Sequence, residues 1–282
     1  MPSSLKTKLT MTLPVLRVAT CMAPNADDTC RSITRFVERK LGIATEFVDG
    51  ISWRERERQL DAGEIHLCWL CGLPYVWKAD RRARAIELVA APVMVAERYG
   101  GQPVYFSDVV VRSNSGFTSF SELRGASWAY NEPNSHSGYN VVRHHLRGIG
   151  ESTGYFREAV ESGAHQISLK MIVDGKIDAS AIDSTVLEAE LARAPHVRSD
   201  IRIIGTLGPS PMPPWVMRRD LPVALKQSLR ELFLGMGDDP DGRDILRTWG
   251  ISRFVPVNDA TYDPIRLMSA DASHVRLSAQ NQ

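Results

Sequence analysis

The sequence predicts an α/β protein of two similar lobes joined by two crossings of the chain. Three observations carry this. The chain has 282 residues, more than one small core needs and enough for two lobes of about 100–150 residues each. Short apolar strands alternate with amphipathic helical patterns, the order expected of parallel α/β sheets. A weak internal repeat relates Leu60-Asp-Ala-Gly63-Glu-Ile65-His66 to Ile172-Val-Asp-Gly175-Lys-Ile177-Asp178, 112 residues later. The same offset carries the first strand, Val15–Thr20, onto Ser127–Tyr130, which also reads as a strand.

The elements follow in order. After Val15–Thr20, a helix places Ile33, Phe36, Val37 and Leu41 on one face, with Asp27 or Asp28 as its expected cap and Gly42 as its stop. The charged run Arg54–Arg58 reads as the wet face of a second helix. Ile65–Trp69 is a buried strand, and Val104–Arg112 is a long extended segment. The strand Ser127–Tyr130 leads into a helix marked by Tyr139, Val142 and Leu146. His165 starts a helix that ends before Gly175, Ile177–Ile182 is a strand, and Leu187 and Leu191 mark the helix after it. Ile201–Ile204 is a strand, Pro209–Pro214 a rigid turn-rich segment, and Leu225, Leu229, Leu232, Phe233 and Met236 one helix face.

This last part is too short for a lobe of its own, so it is expected to return to the first. The expected organisation is lobe one over 14–106, lobe two over 107–204, and a return to lobe one over 205–268. Flexible tails are expected at 1–13 and 269–282. The crossings fall near Phe106–Asp108 and Ile203–Thr206.

Composition narrows the function. Apolar residues make up 43% and charged residues 24%, the mix of a soluble globular protein. Lys+Arg (34) against Asp+Glu (33) leaves a net charge of +1, with no basic excess to neutralise a run of phosphates, so nucleic acid is not an expected partner. The longest apolar-rich run, Leu67–Trp77, is far below the roughly 20 residues of a membrane span. Lys6 and Lys8 resemble the start of a signal peptide, but Thr10, Thr12, Pro14 and Arg17 break the apolar stretch that should follow. That leaves a cytoplasmic location, export by another route, or an altered start.

Cys68-x-x-Cys71 invites a redox or zinc reading, yet it has no second pair and sits in a buried strand running into a turn. Both cysteines are expected as buried thiols without a bridge between them. No phosphate loop, Gly-x-Ser-x-Gly, zinc-protease motif or dinucleotide glycine pattern is present, and no cofactor is expected.

The most informative segment is Trp128-Ala-Tyr-Asn-Glu-Pro-Asn-Ser135-His136-Ser137-Gly138-Tyr139. A strand ends, a polar turn follows, and a helix begins at Ser135 or Ser137. Free N–H groups at a helix start favour an anion, two hydroxyls add donors, and Gly138 permits close approach; a plain N-cap is the other reading. His165 and Asp183 stand at element ends that face the cleft of a doubly wound fold. His165 either caps its helix or donates to an anion. Asp183 either caps the next helix or accepts from a ligand. Trp53, Tyr75 and Tyr105 sit at element edges within reach of a cleft.

At these residues the chain resembles the substrate-binding proteins of phosphonate, phosphite and phosphate ABC transporters, from about Leu16 to Arg266. The likeness rests on an ordered series: Gly63-Glu-Ile-His; Tyr105-Phe-Ser-Asp-Val-Val-Val-Arg; Phe120-Ser-Glu-Leu-Arg-Gly; Asn131-Glu-Pro-Asn-Ser-His-Ser-Gly-Tyr; Gly163-Ala-His; Asp174-Gly-Lys-Ile-Asp-Ala-Ser-Ala-Ile-Asp; Pro211–Val216; Asp239-Pro-Asp-Gly; and Phe254–Asp263. The resemblance implies a type II periplasmic-binding-protein fold, each lobe a mostly parallel sheet flanked by helices. It implies a tetrahedral oxyanion held by the turn that Ser135, His136 and Ser137 match, with His165 and Tyr105 in matching places and an acid near Asp183 at the ligand's other end.

Two positions depart from the family pattern: Trp53 stands where a tyrosine is usual, and His136 where a threonine is. The resemblance further implies a monomer that closes over its ligand in the periplasm, with an ABC permease as partner if exported, and no catalysis. The same fold serves some cytoplasmic lyases and synthases and some ligand sensors. In an enzyme, His165, Asp183 and Cys68 would be the acid–base candidates.

Overall fold

The computed structural model describes residues 13–279, so 1–12, with Lys6, Lys8, Thr10 and Thr12, lie outside the described residues, as do 280–282. The first half follows the expected pattern closely. Strand β1 (Leu16–Thr20) leads to helix α1 (Asp27–Leu41), β2 (Thr45–Phe47), α2 (Trp53–Ala62), β3 (Leu67–Trp69) and α3 (Gly72–Ala79). Helix α1 stops at Gly42, whose φ of 66° is the left-handed cap that glycine adopts without strain. Strands β4 (Ile86–Met94) and β5 (Val104–Arg112) follow.

The same order then recurs. Strand β6 (Ser127–Tyr130) leads to α4 (Val141–Gly148), β7 (Glu158–Glu161), α5 (His165–Val173), β8 (Ala179–Asp183) and α6 (Ser184–Arg193). A short α7 (Val197–Asp200) precedes β9 (Ile201–Pro211) and β10 (Trp215–Arg218). Helices α8 (Val223–Leu234) and α9 (Pro240–Thr248), strand β11 (Ile251–Val255) and α10 (Asp263–Asp271) complete the order.

Two sheets result, ordered β11-β4-β10-β3-β1-β2 and β7-β6-β8-β5-β9. In each, three strands run parallel (β2-β1-β3 and β7-β6-β8), and the next neighbour (β10 or β5) is antiparallel. The sheets are therefore mixed: the strands linked through helices are parallel, as such crossovers require, and the strands around the crossings are antiparallel. The 112-residue offset relates α2 to α5, α3 to α6 and β3 to β8. Each sheet is covered on both faces by separate apolar clusters, around Phe36 and Trp215 and around Leu70 and Ile265 in lobe one, and around Trp128 and around Leu169 in lobe two.

Four expectations are corrected. The return crossing lies later than Ile203–Thr206 and than residue 205, because β9 pairs with β5 along its whole length, out to Val104 opposite Pro211. Leu207 still packs in the lobe-two core and Met212 is the first return to that of lobe one. The segment from 269 is no loose tail over its described length. Ala272, Val275 and Leu277 are buried in lobe two, and Arg143 Nε donates to Val275 O at 3.0 Å. Helix α10 thus makes a third passage, from Ile265 in lobe one to Met268 against lobe two.

The third correction concerns the start of α1. Neither Asp27 nor Asp28 caps it, since the helix is entered through a 3-10 turn at Pro24–Ala26, the N-cap is Ala26, and both acids lie inside the first turn. Finally, the run 54–58 is not uniformly wet. Arg56 is buried, because its guanidinium grips both oxygens of Asp27, at 2.7 and 2.8 Å, and donates to Thr20 O at 3.0 Å.

Candidate functional site

A cavity of about 350 Å³ lies between the lobes, and the same three kinds of junction line it from each side. Lobe one contributes the turn after β1 (Cys21–Pro24, Asp27), the start of α2 (Gly50–Trp53, Arg56) and Cys71 before α3. Lobe two contributes the turn after β6 (Asn131, Glu132, Ser135, Ser137), the start of α5 (Gly163–His165) and the start of α6 (Asp183, Val186). Repeated strand–helix units place helix N-termini at the carboxyl ends of parallel strands, so two such lobes face one another with positive helix ends.

The turn after β6 closes on itself through Ser135, which accepts from Gly138 N at 3.0 Å as the N-cap of a π-helical turn, His136–Asn140. Ser137 Oγ lies 2.9 Å from His165 Nε2 and 3.4 Å from Ser135 Oγ. Gly138 is required at its position: a Cβ there would run into Asn131 Oδ1 and come within 3.2 Å of His165 Cε1. Helix α5 begins after Ala164, which offers no side chain as a cap, so its first N–H groups remain for an anion.

Burial pushes the His165 imidazole down to about 3, so at neutral pH it is an uncharged donor–acceptor, and its Nδ1 is buried without a partner. The one guanidinium of the lining, Arg56, is consumed by Asp27. An oxyanion here would be held by hydroxyls, backbone N–H groups and helix ends rather than by a side-chain cation.

Asp183 plays the capping role foreseen as one of its two readings. It accepts from Thr185 N at 2.9 Å and from Thr185 Oγ1 at 2.7 Å, and it also reaches the cavity. Burial raises its carboxyl to about 6, with the Thr185 hydrogen bonds opposing. Trp53 lines the lobe-one wall, where Arg54 covers its ring at 4.7 Å and pairs with Glu161 across the mouth.

Four expected residues stand outside the cavity lining, the first being Gly138, whose N–H is taken by Ser135 and whose missing Cβ makes room for Asn131 and His165 rather than for a ligand. His136 turns away from the cavity toward the hinge strands, with Nε2 3.0 Å from Ser210 Oγ on β9, Nδ1 3.1 Å from Asn140 Nδ2, and its ring edge-on to Tyr105. A longer side chain than a hydroxyl, alternating along the turn with Ser135 and Ser137, has to point back into the fold. Tyr105 is buried behind the wall, in contact with Ser137; burial raises its phenol, and the Ser137 hydrogen bond opposes this. Tyr75 is not part of the constellation, since its hydroxyl donates to Asp259 Oδ1 at 2.7 Å and its ring packs on Tyr262.

Sequence reasoning passed over Asn131 and Glu132, although both lie in the turn it selected. It also passed over Cys21, Cys71, Asp27 and Arg56 on lobe one. The 112-residue offset is the signal that would have found these, because it maps the lobe-two turn onto the lobe-one turn. Cys21 and Cys68 face each other across β1 and β3 with sulfurs 3.8 Å apart, and all four cysteines are free thiols. Among the described residues no three His, Cys, Asp or Glu side chains are grouped to hold a metal, and no helix is long and apolar enough to cross a membrane.

A two-lobed α/β scaffold with helix ends facing each other across a small interlobe cavity is one that solute-binding proteins use. Comparison with known proteins gives the family. Residues 24–262 match the family model for the periplasmic substrate-binding protein of phosphonate ABC transporters, and the chain belongs to that family. It is 21% identical over 238 residues to the phosphonates-binding periplasmic protein of Escherichia coli, covering 83% of this chain and 68% of that one.

Among solved structures it is similar to a binding component of an ABC phosphonate transporter from Pseudomonas aeruginosa, with a TM-score of 0.81 at 17% identity, covering 92% and 87% of the two chains. It is equally similar to PhnD1 of Prochlorococcus marinus in complex with methylphosphonate, with a TM-score of 0.81 at 19% identity, covering 93% and 99%. The family consists of periplasmic binding proteins, and its members work with a transporter permease; it is not a family of lyases or synthases.

Proposed function

We propose that this chain binds a small phosphonate-class oxyanion in the interlobe cavity, as a monomer in the periplasm, and hands it to an ABC permease. The observation that carries this is the pairing of Ser137 and His165, 2.9 Å apart, at the uncapped start of α5, in a cavity whose one guanidinium is already engaged. A desolvated oxyanion must recover several charge-assisted hydrogen bonds, each contributing about 1.5–3 kcal/mol. With His165 Nε2–H donating to Ser137 Oγ, the Ser137 hydroxyl proton is free for the ligand, and the Ser135 hydroxyl and first-turn N–H groups complete the set. Trp53 closes the pocket over the ligand, while His136 and Tyr105 hold the turn from behind.

Titration calorimetry with methylphosphonate, phosphite and phosphate tests the reading. Ser137→Ala and His165→Ala should each weaken the best ligand by tenfold or more, with the fold retained. Binding as tight as the parent's in both variants would place the site elsewhere.

A further inference from the structure

We propose that Glu132 is a further binding residue of this site: its carboxyl carries a proton and donates it as a hydrogen bond to the bound oxyanion. The inference rests on the anion-site reading above. Glu132 follows β6, lines the cavity beside Ser135 and Ser137, and its Oε2 is buried without any partner among the described residues.

A carboxyl so placed has three possible situations: paired with a cation, ionised and alone, or protonated. The groups around it decide. Among the described residues, Arg54 of α2 is the one cation acting on it, and that guanidinium is paired with Glu161 at the end of β7. Glu57 of α2 adds to the negative side and is itself tied to Lys78 at 2.9 Å. Two carboxyls against one engaged guanidinium leave nothing to stabilise a charge on Glu132. An ionised carboxylate next to a bound anion would repel it, in a cavity with no free cation to offset the repulsion. The protonated acid instead supplies an O–H···O⁻ contact, among the strongest neutral donors to an oxyanion.

Burial is the main force holding the proton, with Glu57 and Glu161 adding to it and Arg54 opposing; together they raise the carboxyl to about 8. Three other titratable groups of the cavity are shifted clear of that range. Desolvation holds His165 down to about 3 and raises Asp183 to about 6, and it raises the thiol of Cys71, which is only half-buried rather than buried as expected, to about 11. Between pH 7 and 9 the proton on Glu132 is therefore the one that changes. Above its own pKa, anion binding must take one proton from solution, and affinity falls tenfold per pH unit.

The test is calorimetry of methylphosphonate binding to wild type and E132Q from pH 6.5 to 9. The amide keeps the shape and a donor but does not titrate, and the ligand's own ionisation is common to both proteins. The ratio of the wild-type Kd to the variant Kd is expected near one at pH 6.5, rising to about tenfold at pH 9. Matched titrations in two buffers should show wild type taking up close to one proton more per anion than E132Q at pH 9.

A flat ratio overturns the proposal. So does a variant weaker than wild type at every pH, which would make the carboxylate an acceptor for a cationic or hydroxyl group of the ligand. If E132Q does not fold, absence of proton uptake by wild type at pH 9 overturns it instead. Ser137→Ala is measured alongside: a flat ratio with binding still dependent on Ser137 sinks only the role of Glu132. No binding, or binding indifferent to Ser137, sinks the anion site and this proposal with it.

Discussion

The two lobes share one topology, and their facing turns differ in what occupies the helix ends. In lobe one, the start of α1 already holds Asp27 and Asp28, with Asp27 clamped by Arg56 from the start of α2. In lobe two, neither the π-helical turn His136–Asn140 nor the first turns of α4 and α5 carry an acidic residue, and the nearest carboxyl, Glu132, sits ahead of them on the turn after β6. The position that matches Arg56 is Ser168, buried and 2.6 Å from Ser162 Oγ. On the function proposed above, one lobe has filled its anion position with its own side chain and the other leaves it for a ligand. The difference teaches that two lobes of one topology can present unlike helix ends to a shared cavity, one neutralised by its own ion pair and one open.

Removing the internal ion pair is the harshest way to break the comparison. Arg56→Met leaves the Asp27 carboxylate without its partner beside a buried turn, and should lower unfolding stability by about 3–5 kcal/mol in a denaturant titration. A loss below about 1 kcal/mol would mean that lobe one is not organised around the pair.

The next effect is a pH effect at His136, whose imidazole is buried and pushed down to about 3 by desolvation. Its folded pKa is below the unfolded value of about 6.5, so its contribution is complete above that pH and fades as pH falls toward 3. Relative to His136→Gln, wild type should lose about 1.4 kcal/mol per pH unit below 6.5. Parallel stability curves for the two proteins would contradict this. The smallest effect belongs to Arg54→Ala. The pair with Glu161 spans the lobes but is solvent-exposed, so its loss should change ligand affinity by no more than about threefold. A much larger loss would make that pair a true clasp of the closed form.

Much of this was legible in the sequence, for identifiable reasons. Periodic apolar residues with glycine stops gave α1 and α5 to within a residue or two, because burial of one face and the left-handed cap act locally. The Ser135–Gly138 turn was legible because a polar turn between a strand and a helix has few structural uses. What escaped depends on distance. The burial of Arg56 requires Asp27 from another element, and the pairing of β9 to Pro211 requires β5 opposite it. The inward turn of His136 requires Ser210, far along the chain. Pattern alone sees none of these partners. The departure at His136 was visible as an odd residue in a family turn, yet its direction was not.

The third passage of the chain, through α10, changes the mechanics of opening. Two side-by-side straps let a pair of bodies both fold and wring about the line between them. Here α10 lies against α3 on one body and α4 on the other, and the segment beyond it is sewn to the second body by Arg143 and by Phe156 N donating to Leu277 O at 3.1 Å. A third strap resists wringing while leaving folding free. The chain thus ties the two lobes at three places, and the third tie braces the facing helix ends against relative rotation.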